Sequence, residues 1–168
     1  MCSDANYWET IYQYVVLDIK GRRVLVMPKV YFGSTSKKRL ATCHPAWSEI
    51  MIEAANDSEC PCDFGIVCGW RNEWDQDKAF MDGKSNARWG ESDHNVMIGN
   101  KPWSLGIDIA PYSSEIKNYL WEDAYAFNAL ASHIIAVAGR LGYRVEWGGN
   151  YKLRGGTGDP GHFSLKLK

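Results

Sequence analysis

The chain has 168 residues, 45% hydrophobic and 23% charged, which suits a single globular domain and excludes a disordered chain. A net charge of −1 supplies no basic field for nucleic acid or an anionic membrane, and no apolar run approaches the ~20 residues of a membrane span. Met1 to Glu9 lack the basic-then-apolar pattern of a secretory signal, so a target outside the cytoplasm implies delivery by another protein.

Tyr12 to Pro28 reads as a β-hairpin, with Val15, Val16, Leu17 and Ile19 before a turn at Lys20-Gly21 and Val24, Leu25 and Val26 after it. Phe32 to Ser36 reads as a loop that caps a short helix near Lys37 to Thr42. Pro45 suits a first helical position. Trp47, Ile50, Met51 and Ala54 follow as one apolar helical stripe, a core face. Asp63 to Gly69 alternates as a strand, with Phe64, Ile66 and Cys68 on one face. Asn72 caps the next helix and Gly83 ends it. Gly90 to Ser104 is aperiodic and reads as loop, before a short strand at Leu105 to Ala110. Phe127, Leu130, Ala131, Ile134, Ala138 and Leu141 mark a long amphipathic helix that stops at Gly142. A strand at Tyr143 to Trp147, a Gly-rich loop at Asn150 to Gly158 and a strand at Gly161 to Leu167 complete the chain. Helices and strands mix without βαβ alternation, which predicts an α+β fold: a small antiparallel sheet with flanking helices.

Eight Trp and nine Tyr are many for this length; they fill a core or line a groove for sugar or peptide, and filling a core is the commoner use. Five Cys at irregular spacing point to a reducing compartment and free thiols, and Cys60-Pro61-Cys62 is too tightly spaced for a zinc knuckle.

The last strand should turn Phe163, Leu165 and Leu167 to the core and leave His162, Ser164 and Lys166 on the open face. Ile107 and Ile109 likewise face the core and turn Asp108 outward. His94 sits in the preceding loop. Two His and one carboxylate make a common catalytic zinc set, with a fourth position for water. Asp159, three residues before His162, is placed to act as general base. A single His is more often a satisfied surface or core residue, and His44 and His133 fit that description.

Gly69-Trp70-Arg71 with Gln76, Gly83-Lys84-Ser85, Ser92-Asp93-His94, Leu105 to Pro111, Trp147-Gly148-Gly149 and Asp159-Pro160-Gly161-His162-Phe163 occur in this order. Phe32-Gly33 to Leu40, His44-Pro45 and Asp63-Phe64 fit with them. The series resembles the D-Ala-D-Ala carboxypeptidase and L-alanyl-D-glutamate endopeptidase family of zinc peptidases, most of all its phage endolysins, over about residues 32 to 168. The resemblance implies the hedgehog-like fold of that family with zinc on the sheet. It places the metal on His94, Asp108 and His162 and the base on Asp159. It makes Arg71 a substrate-facing cation that stabilises the developing oxyanion, and Gln76, Ser85 and Ser92 supports or contacts for substrate.

The implied activity is cleavage of the L-Ala–D-Glu bond in peptidoglycan stem peptides. The other readings are a D,D-carboxypeptidase or dipeptidase on D-Ala-D-Ala, and a non-catalytic hedgehog-like zinc module. For an endolysin the implied setting is a monomer made in the host cytoplasm, released to the wall by a separate holin-type pore, lytic and so antimicrobial, without nucleic acid or membrane insertion. Three departures stand out. The 14-residue separation of His94 and Asp108 exceeds the family's, so residues 95 to 104, with Trp103, should form a loop at the rim of the cleft. Asn150-Tyr151 replace an Asp-Trp that is frequent in the family. Residues 1 to 31 have no family counterpart and are expected to add a hairpin to the domain formed by 32 to 168.

Overall fold

The structure is a computed structural model that describes residues 14–17, 23–26, 32–151 and 158–167. Residues 1–31 form one compact unit, in which β1 (Tyr14–Leu17) pairs antiparallel with β2 (Arg23–Val26), Tyr14 opposite Val26. The Lys20-Gly21 turn lies outside the described residues.

Residues 32–168 form the second unit. It opens with α1 (Ser34–Leu40), which begins earlier than expected, so Ser34 to Ser36 are helical. The early start has a packing cause. Ser36 Oγ accepts the Ile66 N–H at 3.1 Å, and Arg39 Nη1 donates to the Ile66 carbonyl at 2.9 Å. The two turns of α1 thereby satisfy backbone groups of β3 (Phe64–Cys68), the edge strand of the sheet. α2 (Pro45–Asn56) follows, with Pro45 at its start and His44 Nδ1 accepting the Ala46 N–H as cap. Its predicted stripe of Trp47, Ile50, Met51 and Ala54 is buried in full.

α3 (Glu73–Met81) is capped by Asn72 and followed by Gly83 in left-handed backbone, φ 72°. The stretch expected as loop, Gly90 to Ser104, instead holds a 3-10 turn at Asp93–Asn95 and a small hairpin of β4 (Met97–Ile98) and β5 (Lys101–Pro102). Strands of two residues are too short for alternation to show. β6 (Gly106–Ser113) runs three residues past its predicted end, and its extension pairs with the short β7 (Asn118–Tyr119). α4 (Ala124–Arg140) buries Phe127, Leu130, Ala131, Ile134 and Ala138, whereas Leu141, past its end, is 40% exposed.

The sheet runs β3-β6-β9-β8, all antiparallel, with β8 (Arg144–Trp147) and β9 (His162–Lys166). Its apolar face carries Ile66, Ile107, Ile109, Phe163 and Leu165, all buried. α4 packs on β6 and β8, α2 on α4, and α1 on β3. Leu167 is exposed, unlike its two strand mates, because it follows the last strand pair. Trp47 is core, but Trp74 and Trp121 are largely exposed, so aromatic filling of the core accounts for only part of the tryptophan content. No helix among the described residues is long and apolar enough to cross a membrane. Cys43, Cys60, Cys62 and Cys68 are free thiols.

Candidate active site

On the polar face, register does the assembly. Asp108 of β6 lies opposite His162 of β9 and, across the other edge, opposite Cys68 of β3. His94 comes from the 3-10 turn, whose cap is the Ser92 hydroxyl accepting the His94 N–H. Three donor atoms converge: His162 Nδ1 is 2.8 Å and His94 Nε2 3.1 Å from Asp108 Oδ1, and the two nitrogens are 3.1 Å apart. Ligands about 2.0–2.1 Å from a tetrahedral zinc stand roughly 3.3 Å from one another, so a slight opening of this triangle seats the ion. Gly106 makes the convergence possible: a Cβ there would lie 3.1 Å from both imidazole rings. Two nitrogens and one carboxylate oxygen, facing a cleft of about 600 Å³, match a catalytic zinc set with an open position.

Each donor is held from behind. His94 Nδ1 donates to the Gly69 carbonyl at 2.6 Å, which leaves Nε2 bare for a metal. Asp108 Oδ2 accepts from Arg71 Nη2 at 3.2 Å, which leaves Oδ1 to the triangle. His162 Nε2 is 3.1 Å from Ser164 Oγ. Without an ion, the charges of these groups hold the triangle together. Burial drives His94 toward its neutral form, but Asp108 outweighs it and raises the imidazole to about 10. Burial equally favours neutral Asp108, yet His94 and His162 hold the carboxyl well below the usual range.

Asp159 joins the site from the turn before β9: its carboxylate, Asp108 and His162 offer ligand atoms within 4.8 Å of one another. Burial, and then the Asp108 charge, raise its pKa above the ordinary carboxylate value. A third donor group, Cys68 with His94 and Asp108, meets the same distance limit. There, however, Arg71 Nη2 reaches both the Cys68 sulfur, at 3.8 Å, and Asp108, and a guanidinium in that position repels a cation. Alternation puts Cys68 on one face with Phe64 and Ile66, the face that the structure buries for those two. The register shifts between Ile66 and Cys68, and such an irregularity re-aims the side chain toward the site.

The expected substrate residues divide. Ser85 and Ser92 lie on the cleft wall, and Arg71 does too while bonded to Asp108. Gln76 is a correction: it is fully buried, takes Arg71 Nη1 on Oε1 at 3.0 Å, and donates to Ser85 Oγ and the Ala87 carbonyl. Its amide is saturated inside the protein, so it braces Arg71 rather than touching substrate. Trp103 is a second correction. It packs edge-on against His44, ring centroids 5.4 Å apart, and no residue of 96 to 104 lines the cleft. Backbone bonds from Ser104 to Thr42 and His44 pull that hairpin onto the α1–α2 connection instead. Ser164, expected on the open face, is 1% exposed, covered by Asp93 and Tyr151. Asn150-Tyr151 border the cleft; residues 152 to 157 of the Gly-rich loop lie outside the described residues.

Residues 29–163 match the family of phage L-alanyl-D-glutamate peptidases. Among solved structures the chain is similar to the L-Ala D-Glu endopeptidase ChiX of Serratia marcescens, at 22% identity over 82% of this chain and 91% of that one, with a TM-score of 0.64; at that identity the likeness is one of fold. No curated protein matches the chain. With most of its length inside the matched span, the chain belongs to the phage L-alanyl-D-glutamate peptidase family and is a peptidoglycan endopeptidase.

Proposed function

We propose that the chain hydrolyses the bond between L-alanine and D-glutamate in peptidoglycan stem peptides, with zinc held by His94 Nε2, Asp108 Oδ1 and His162 Nδ1. The observation that carries this reading is the donor triangle of 2.8 to 3.1 Å at the base of the cleft, beside Asp159. Zinc, when bound, polarises the scissile carbonyl and makes water acidic enough to attack near neutral pH. Asp159 takes the proton of the attacking water and passes it to the leaving amine as the C–N bond breaks. The products are a free alanine carboxylate and a new D-glutamate amino terminus. Arg71, fixed by Asp108 and Gln76, brings a permanent positive charge to the cleft wall, where negative charge develops on the carbonyl oxygen. Ser92 supplies a hydroxyl along the same wall for the peptide backbone, while the Ser85 hydroxyl is taken up by Gln76 and Ala87 and shapes that wall.

In this reading the protein is a monomeric endolysin, made in the host cytoplasm and released to the wall by a separate holin-type pore, where its action is lytic. Digestion of purified peptidoglycan, with mass spectrometry of the new termini, tests the reaction. New D-glutamate amino termini are expected, with little free D-alanine. Free D-alanine as the main product, without D-glutamate termini, would establish a D,D-carboxypeptidase instead.

A further inference from the structure

A neutral histidine can offer Nδ1 to a metal only when its proton sits on Nε2. In His162 that choice is made by two side chains with no part in the triangle. Nε2 lies 3.1 Å from Ser164 Oγ. The hydroxyl has one hydrogen, and Asp93 Oδ2, 2.6 Å away, takes it. A carboxylate only accepts, so toward His162 the hydroxyl oxygen is left as an acceptor. Tyr151 Oη, at 3.4 Å, donates to that same oxygen. An acceptor facing Nε2 requires a hydrogen there, and the lone pair of Nδ1 then points at Asp108 and His94.

Asp93 is itself held in place. Its carbonyl accepts the Leu105 N–H at 2.9 Å. Lys166 Nζ lies 3.9 Å from its Oδ2 and is tied to Glu146 at 3.1 Å. The contrast with His94 is informative. There a backbone carbonyl fixes the tautomer, which no side-chain replacement removes. At His162 the same task falls to side chains, one of them buried to 1% exposure and 71 residues away in sequence from the other.

We propose that Asp93 and Ser164 are a positioning pair: Asp93 orients the Ser164 hydroxyl, and the hydroxyl holds His162 in the Nε2–H tautomer that presents Nδ1 to the metal. The inference rests on the zinc reading of the site. Neither residue needs to touch substrate in this role, although both border the cleft.

The test is zinc affinity, measured on the full chain without substrate by competition with a chromophoric chelator. The variants are Ser164→Ala, Asp93→Ala and the double variant, each checked for folding by near-UV circular dichroism. Each single variant is expected to weaken zinc binding by about 10- to 100-fold, the usual effect of removing an outer partner of a ligating histidine. Because Asp93 acts through Ser164, the double variant is expected to bind no more weakly than the weaker single one. Cobalt substituted for zinc should show a shifted visible band in both single variants, since the ligand field at Nδ1 changes. Wild-type zinc affinity in either folded single variant overturns the proposal, as do losses that multiply in the double variant. If one single variant does not fold, the other decides alone. Absence of zinc uptake by the wild-type protein overturns the zinc reading, and this inference with it.

Discussion

At the scale of single residues, the proposed ligation and proton transfer fall on different side chains. His94 and His162 each contribute one corner of the triangle, while Asp159 stands beside it. His94→Ala and His162→Ala are expected to lose most bound zinc by elemental analysis, with near-wild-type secondary structure. Asp159→Asn is close to isosteric and is expected to keep the zinc while turnover on peptidoglycan falls by ~10² or more, the usual scale of general acid–base help. Near-normal lysis by that variant moves the base elsewhere. That Asp108 and His162 share the polar face was legible in the sequence, because strand alternation turns them away from Ile107, Ile109 and Phe163. The surroundings of Cys68, Gln76 and Ser164 are not legible in the sequence, for a shared reason. They are set by register shifts and by segments remote in sequence, which local periodicity does not contain.

At the scale of elements, the β4–β5 hairpin changes the meaning of the long spacing between His94 and Asp108. Trp103 faces His44 and the start of α2, so its contribution is to packing. Trp103→Ala is expected to lower stability by about 1–2 kcal/mol, read as a Tm lower by a few degrees, with the same cleavage products by mass spectrometry. A changed product pattern at unchanged Tm would return the hairpin to substrate selection. A second contact joins the ends of two helices: Arg140 of α4 donates to Asp57, the C-cap of α2, whose carboxylate also accepts the Glu59 N–H. That N–H, with Arg140, outweighs burial and lowers the Asp57 pKa. A depressed folded-state pKa adds stability that is present above the unfolded value of about 3.9 and is lost as pH falls toward the folded value. Arg140→Ala should therefore narrow the stability gap between pH 6 and pH 3 relative to wild type in urea titrations. An unchanged gap would show that the pair does not act through Asp57.

At the scale of the whole molecule, the α+β class and the antiparallel sheet follow from element types and order, and these the sequence carries plainly. Pairing order does not: β7 and the β4–β5 hairpin are too short to show alternation, and nothing local places β9 between β6 and β8. The proposed ligands stand 14 and 54 residues apart along the chain, so an unfolded chain holds no preformed site. Zinc at a hundred times its Kd should stabilise the native state by about 2.7 kcal/mol and raise Tm by roughly 10 °C, reversed by a chelator. A Tm indifferent to zinc would mean that the ion does not bind the folded chain. The late position of β9 also has a kinetic side. Until that strand docks, β6 and β8 each keep an unpaired edge, and such edges are templates for association between molecules. Refolding yield should therefore fall as protein concentration rises, with light scattering growing before β9 is protected from hydrogen exchange; a yield independent of concentration would mean that the strand docks before the molecules can meet.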